Sequence, residues 1–241
     1  MKSDTRTTRW LGAAFVAQFI TSVAAAVLSA KVVAAGASGA LPAATGNLTM
    51  VRAAGLMELL TGAGIAALTA LLFAALGDLD RPRALAAGAL WLAEVAMLAA
   101  SGLGLYALAA LGAQVAGGAA TPSLAAAATL AFSLYQDAFT ASMLFFCLGA
   151  LLWYSLLYQS ELVPHWLAGW GFVTVLPLLV SILLTLWDRG LSLGVLPGLP
   201  YAPFELVVGI WLIVTAGRSA SSRSASAHDG ATPARLGGAL S

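Results

Sequence analysis

The chain has 241 residues, of which 61% are apolar and 9% charged, and its mean hydropathy is +0.93. Soluble domains carry about 25% charged residues, so this composition excludes a soluble globular enzyme, and the net charge of +1 argues against a nucleic-acid partner. One cysteine and two histidines exclude a disulfide framework, a cysteine-based zinc site and a multi-histidine metal centre, so we expect no metal or cofactor. The composition predicts an integral membrane protein in a lipid bilayer.

Six apolar segments are predicted to cross the membrane, since a transmembrane helix needs about 20 mostly apolar residues. The first, Leu11–Ala30, exceeds the roughly 7–15 residues of a signal-peptide core, so we interpret it as an uncleaved helix. The other predicted spans are Ala53–Leu76, Ala84–Leu111, Ala138–Tyr158, Trp166–Trp187 and Pro203–Ala216. Leu124–Gln136 precedes the fourth span, and we expect a helical lead-in that lies at the interface or between other helices.

Positive charge in short loops favours the cytoplasmic side. Eight of the eleven basic residues fall on one side when the N-terminus is cytoplasmic: Lys2, Arg6, Arg9, Arg81, Arg83, Arg218, Arg223 and Arg235. The prediction is an all-α polytopic membrane helix bundle with both termini cytoplasmic. Residues 1–217 are predicted to form a single transmembrane domain. Residues 218–241 are rich in Ser, Ala and Gly, a composition that predicts a disordered cytoplasmic tail.

Aromatic residues near the ends of the predicted spans are typical of the belts found at both membrane interfaces. The residues in question are Trp10, Trp153, Tyr154, Tyr158, Trp166, Trp187 and Tyr201.

Four acidic residues lie in or at the predicted spans, where each costs roughly 2.5–3.5 kcal/mol on insertion scales. The predicted topology puts Glu58, Asp137 and Glu205 in the outer half of the membrane and Glu94 near its centre. An acid at that depth is expected to be uncharged and able to give up a proton. We therefore predict that these four residues are catalytic acid–base groups. If they converge on one outer-facing cavity, their side chains should lie on the inward faces of the second, third, fourth and sixth helices. The alternative is that they are paired or protonated residues that only fix helix packing.

Aromatic and hydroxyl side chains accompany these acids along the same helices. Trp91 precedes Glu94 by one turn, Tyr135 and Thr140 flank Asp137, and Tyr201 precedes Glu205. Aromatic faces with a few acids suit a pocket for an apolar molecule or a cation. Trp91, Tyr135, Thr140 and Tyr201 are therefore the predicted substrate-binding residues, with plain helix packing as the alternative.

The second half of the chain carries a motif that resembles a bacterial membrane family, catalogued as domain of unknown function 4386. The matching stretches are Leu148–Tyr158, Ser160–Leu167, the Trp170-Gly171 pair and Pro203–Val214, together with the acid of Gly55-Leu-Met-Glu58. The resemblance covers about Thr8–Arg218 and implies a multi-pass protein of the bacterial cytoplasmic membrane. Family members often carry an arginine three residues before the glutamate of helix three, whereas this chain has Trp91 there, which leaves Glu94 without that partner.

Two classes of function fit these residues. The first is an intramembrane acid–base enzyme acting on a lipophilic small molecule, such as an isoprenoid cyclase or isomerase, by analogy of architecture with small polytopic terpene cyclases. A dry pocket would hold an acid in its protonated form, while aromatic faces would stabilise a passing carbocation. The alternative is a proton- or cation-coupled small permease, or a non-catalytic accessory membrane protein.

Overall fold

The computed structural model describes residues 5–118, 120–160, 162–194 and 196–229, with side chains described up to Gly217. Within these residues the chain forms six α-helices and no β-strand, and each of the six is long and apolar enough to cross a membrane. The helices are α1 (Thr5–Thr45), α2 (Leu48–Leu76), α3 (Arg81–Ala116), α4 (Pro122–Gln159), α5 (His165–Trp187) and α6 (Ala202–Asp229). The predicted all-α membrane fold with six spanning helices is confirmed.

Consecutive helices pack side by side through α5, and α6 closes the bundle against α1. Two apolar clusters fill the interior. One joins all six helices and contains the largest buried rings, among them Trp91, Trp153, Tyr154 and Phe204. The other joins α1 to α4 only, at the end where α1 finishes, and contains Val32, Val51, Leu105, Leu108 and Phe132.

Helix α1 runs well past the predicted span Leu11–Ala30 and bends at Gly36. Gly36 has φ 66° and ψ −175°, a backbone conformation that a residue with a Cβ adopts only at a steric cost. Beyond the bend the helix continues to Thr45, and Lys31 Nζ donates a hydrogen bond of 3.1 Å to Asn47 Oδ1 just before α2. The bend therefore redirects the end of α1 over the bundle.

The predicted lead-in Leu124–Gln136 and the fourth span form one unbroken helix, α4. Its start is fixed by the Thr121 hydroxyl, which accepts a hydrogen bond from the Leu124 N–H, and by Pro122 in the first turn. At 1.5 Å per residue, the 38 residues of α4 measure about 57 Å and the 23 of α5 about 35 Å. Arg189, just after α5, forms an ion pair with Asp137, so the part of α4 before Asp137 projects beyond the end of α5.

Between α5 and α6 the chain turns back and descends along α5. Gly198 lies against Leu178, and the Trp170 indole N–H donates to the Pro200 carbonyl at 3.1 Å. Trp170 and Trp187 are separated by about 25 Å along α5, so α6 begins near the level at which α5 begins. Short 3₁₀ turns bond the descending backbone to itself, as irregular backbone at such depth requires.

This path corrects the predicted depth of Glu205, which was expected in the same outer half as Asp137. Phe204 packs on Gly171, near the start of α5, and its ring lies 4.9 Å from that of Tyr154, near the end of α4. Glu205 therefore lies towards the opposite end of the bundle from Asp137. The prediction was wrong because it assumed a surface loop, whereas the segment rich in Pro and Gly before α6 runs back into the bundle.

Helix α6 does not end at the predicted boundary at residue 218, because its backbone stays helical to Asp229. The residues after Arg218 include several alanines and an arginine, which favour helix, and extending an existing helix is far less costly than nucleating a new one. Residues 230–241 lie outside the described residues, and disorder of a tail there remains a prediction.

Three of the aromatic residues predicted for the interfacial belts are in the interior instead. Trp153 and Tyr154 are completely buried, and Tyr201 is nearly so. The remaining four are exposed near helix ends, as expected for such belts: Trp10, Tyr158, Trp166 and Trp187. Distance from a span end therefore did not distinguish a lipid-facing ring from one that faces the bundle.

Helices α1 and α6 approach so closely at Gly12 that we expect Gly12→Ala to destabilise the protein by about 1–3 kcal/mol. An alanine Cβ there would lie 2.6 Å from the carbonyl oxygen of Gly209, and a backbone atom cannot rotate away. The matched control is Gly169→Ala, because a Cβ at Gly169 meets nothing within 4 Å and alanine favours the helix. Reversible unfolding in mixed micelles gives the free energy of unfolding of both variants. Equal stability of the two would contradict tight packing between α1 and α6.

Candidate functional site

The polar centre of the bundle is assembled by α3, α4 and α6. Glu94 comes from α3, Tyr154 from α4, Tyr201 from the turn just before α6, and Glu205 from the first turn of α6. The hydrogen bond from Trp170 to Pro200 and the packing of Phe204 on Gly171 fix the turn that delivers the last two side chains. All four residues are buried. We refer to these four as the central site.

Three oxygen atoms of the central site form a hydrogen-bonded chain. The Tyr201 hydroxyl donates to Glu205 Oε1 at 2.8 Å, and the hydroxyls of Tyr154 and Tyr201 are 2.6 Å apart. Because each tyrosine has one hydroxyl proton, Tyr154 donates to Tyr201 when Tyr201 donates to Glu205. If Glu205 carries the proton, the same atoms permit the reverse order. The two hydrogen bonds can therefore reverse direction without moving a heavy atom far, once a proton is supplied at one end of the chain and accepted at the other.

Glu94 faces this chain from α3. Its side chain is 2% exposed, and its Oε2 atom has no hydrogen-bond partner. The carboxyl is close enough to Glu205 for the two groups to repel when both are ionised. Two neighbouring carboxyls in an apolar setting share a proton more readily than they ionise together. A second buried carboxyl therefore lies within electrostatic range of the tyrosine chain.

Aromatic rings surround the central site. The Trp91 ring stacks on Phe146 at 6.3 Å and an interplanar angle of 12°, and its N–H donates to the Phe146 carbonyl at 3.3 Å. Phe146 in turn meets the edge of Tyr201 at 5.2 Å. Trp91 occupies the position at which an arginine was expected from the family resemblance, and it places a ring rather than a charge near Glu94. The surroundings of the acids are therefore apolar and rich in π-faces.

The four predicted catalytic acids do not converge on one cavity. The structure brings Glu94 and Glu205 together, but Glu58 lies beside Ser101, roughly 10 Å further along α3 from Glu94. Asp137 is exposed and forms an ion pair with Arg189. Glu58 and Asp137 therefore lie at other levels of the bundle, whose longest helices exceed the thickness of a bilayer. The catalytic roles of the four acids stay predictions.

The predicted substrate-binding residues are divided in the same way. Trp91 and Tyr201 belong to the central site or its aromatic wall, whereas Tyr135 packs in the second apolar cluster. Thr140 is half-buried and donates its hydroxyl to the Gln136 carbonyl of its own helix, a local bond that leaves it outside both groups.

The sequence prediction missed Tyr154, which was assigned to an interfacial belt. A signal was available, because Tyr154 shares a helix face with Cys147, Ala150 and Leu157, at spacings of seven, four and three residues, and all of these are buried. That face lacks the polar residues of an aqueous interface. The burial pattern of this helix face therefore predicts that the Tyr154 hydroxyl lies inside the bundle.

Six long apolar helices around a buried polar centre define a multi-pass integral membrane protein. Over residues 10–216 the chain matches a family described as a domain of unknown function, DUF4386, and it belongs to that family. No curated protein and no solved structure matches it.

Proposed function

We propose that this protein is a proton-coupled membrane protein, a small permease in which Glu94 and Glu205 bind and release a proton inside the bundle. The observation that carries the proposal is the chain from Tyr154 through Tyr201 to Glu205, facing a second acid with a free oxygen atom. Intramembrane acids are costly, and they typically mark proton relays or ion pathways.

The roles of the residues follow from their contacts. Glu94 and Glu205 share the proton, because its loss would leave two like charges in contact with apolar rings. Tyr201 holds Glu205 by its hydrogen bond, and Tyr154 forms the far end of the relay. A change in distance between α3 and α6 would weaken the sharing and release the proton, which would link proton binding to a movement of the bundle.

A second candidate function is the acid–base enzyme acting on a lipophilic small molecule, such as an isoprenoid cyclase or isomerase. The aromatic wall of Trp91, Phe146 and Tyr201 favours it, since such faces stabilise a carbocation formed by protonation. Metabolite profiling of a host expressing the chain beside one expressing Glu94→Gln separates the candidates. A product that depends on Glu94 supports the enzyme, whereas unchanged metabolites with altered proton uptake support the permease.

We place the protein in the bacterial cytoplasmic membrane with both termini inside, on the basis of the positive charges around the first, third and sixth helices. With this orientation the Glu94 and Glu205 pair lies below the projecting end of α4, and Tyr154 lies nearer the cytoplasm. Tyr154 is completely buried, so a proton passed along the tyrosines would leave only when an acceptor such as a water molecule reaches the Tyr154 hydroxyl from the cytoplasmic side.

Infrared titration tests the shared proton directly. We expect the purified protein to have a protonated-carboxyl band at neutral pH whose frequency changes in both Glu94→Gln and Glu205→Gln. Either change removes one half of the pair, while the remaining buried acid keeps a proton of its own. Glutamine keeps the size of the side chain, and its oxygen can still accept from Tyr201.

The control is Asp137→Asn, which alters an exposed acid in an ion pair and should leave the band unchanged. A band that neither glutamine variant alters, or one that Asp137→Asn alters, would show that the proton is not shared by Glu94 and Glu205.

A further inference from the structure

A second group of buried oxygen atoms lies apart from the central site. The Glu58 carboxyl of α2 lies next to the Ser101 hydroxyl of α3, and both side chains are at least nine-tenths buried. Neither Glu58 Oε2 nor Ser101 Oγ has a hydrogen-bond partner. Adjacent oxygens that do not bond well to each other are typical of a site completed by a third group.

Two more hydroxyls border this group. Tyr135 of α4 lies beside Ser29 of α1 and within electrostatic range of Glu58. The Ser29 hydroxyl donates its proton to the Ala25 carbonyl at 2.9 Å, so its oxygen lone pairs point elsewhere and can accept or coordinate. Four helices thus contribute oxygen atoms to one buried region. We name Glu58, Ser101, Ser29 and Tyr135 the upper site.

The carboxyl of the upper site is held by close helix packing. A Cβ added at Gly102 would lie 3.2 Å from the Gly55 carbonyl oxygen and 3.6 Å from the Glu58 Cβ. Helices α2 and α3 therefore approach each other closely here, and Glu58 lies at this contact with its side chain buried. No lysine or arginine among the described side chains forms a salt bridge with Glu58. An ionised Glu58 would need its counter-charge from a bound group.

We propose that the upper site binds a small monovalent cation such as Na⁺, coordinated by Glu58 and Ser101 with Ser29 and Tyr135 as further oxygen ligands. The donors are oxygen atoms alone, which suit hard cations. One carboxylate balances one positive charge, whereas Ca²⁺ takes 6–8 oxygen ligands, usually with several carboxylates. Tyr135 is two residues from the exposed Asp137, so the upper site lies close to the end of α5 and near an aqueous entrance.

This inference does not depend on the proposed proton site, because the two groups have different residues and lie at different levels of the bundle. It makes Na⁺ a ligand that stabilises the folded protein whether or not the protein moves protons.

Thermal unfolding of the full chain in detergent tests the site, with NaCl compared with choline chloride at equal ionic strength. At ten times its dissociation constant, Na⁺ is expected to raise the midpoint by roughly 3–5 °C, since it binds only the folded state. Glu58→Gln should abolish the shift. Glu94→Gln should retain it, because Glu94 belongs to the central site, and this separates failure of the upper site from failure of the proposed function.

Serine variants keep the test decisive if Glu58→Gln does not fold. Ser101→Ala should weaken the apparent Na⁺ affinity about tenfold, through loss of one ligand. Its control is Ser142→Ala, an equally buried serine whose hydroxyl bonds to the Phe139 carbonyl of its own helix. A wild-type midpoint that does not distinguish Na⁺ from choline, an unchanged shift in Glu58→Gln, or equal effects of the two serine variants would overturn the proposal.

Discussion

Proton uptake into proteoliposomes is expected to fall at least about 100-fold in Glu94→Gln and in Glu205→Gln, and no further in the double variant. In the proposed mechanism the two carboxyls share one proton, so removing either acid removes the shared site. The measurement is the decay of an imposed pH gradient, followed with a pH-sensitive dye trapped in the vesicles.

A variant of the tyrosine chain is expected to reduce proton uptake by a smaller factor. Tyr154→Phe removes the far hydroxyl while leaving the hydrogen bond between Tyr201 and Glu205, so we expect a partial loss of about tenfold. Additive losses in the Glu94 and Glu205 double variant, of about 10⁴-fold in total, would mean that the two acids act separately. The shared-proton mechanism would then be wrong.

The largest loss of stability is expected from Phe204→Ala, at about 2–4 kcal/mol. The Phe204 ring is completely buried against Gly171 and between the rings of Tyr154 and Trp170. Inside a membrane the gain from leaving water is absent, so the cost comes from lost packing and from the cavity that remains. Reversible unfolding in mixed micelles gives the free energy of unfolding of the wild type and of Phe204→Ala.

Trp187→Ala is the matched control, since it also removes a large ring but at a position that is 88% exposed. We expect it to change the free energy of unfolding by less than about 0.5 kcal/mol. Phe204→Ala should in addition loosen the start of α6 and so reduce proton uptake. If it unfolds as easily as wild type, then Phe204 does not anchor the descending segment.

The helix bundle could be predicted because span detection depends on a property of whole segments, the apolar length needed to cross a bilayer. The limits of this reasoning are visible at α4. Leu124–Gln136 and Ala138–Tyr158 were separated because their total exceeds one crossing, yet nothing in the sequence between them breaks a helix. Whether a helix continues depends on the backbone conformations that its residues allow. The thickness of the bilayer has no influence on this.

The central site could be predicted only in part. Glu94, Glu205, Trp91 and Tyr201 were found because charge and aromatic character stand out in apolar segments. Their partners depend on how the helices pack, and Glu205 comes within electrostatic range of Glu94 because of the turn that brings Pro200 to Trp170. That turn depends on tertiary packing. The sequence around Glu205 was therefore equally compatible with a position at the same end of the bundle as Asp137.

Because α4 is one unbroken helix, its projecting end is rigidly connected to the part that lies inside the bundle. The part before Asp137 projects beyond α5 by about 22 Å, at 1.5 Å per residue. A tilt of roughly 10° about Asp137 would therefore displace the first turn of α4 by about 4 Å, given that rise. Because this part of α4 packs on α1, α2 and α3 through Ala128 and Phe132, such a tilt would have to rearrange the second apolar cluster, to which Tyr135 of the upper site also belongs.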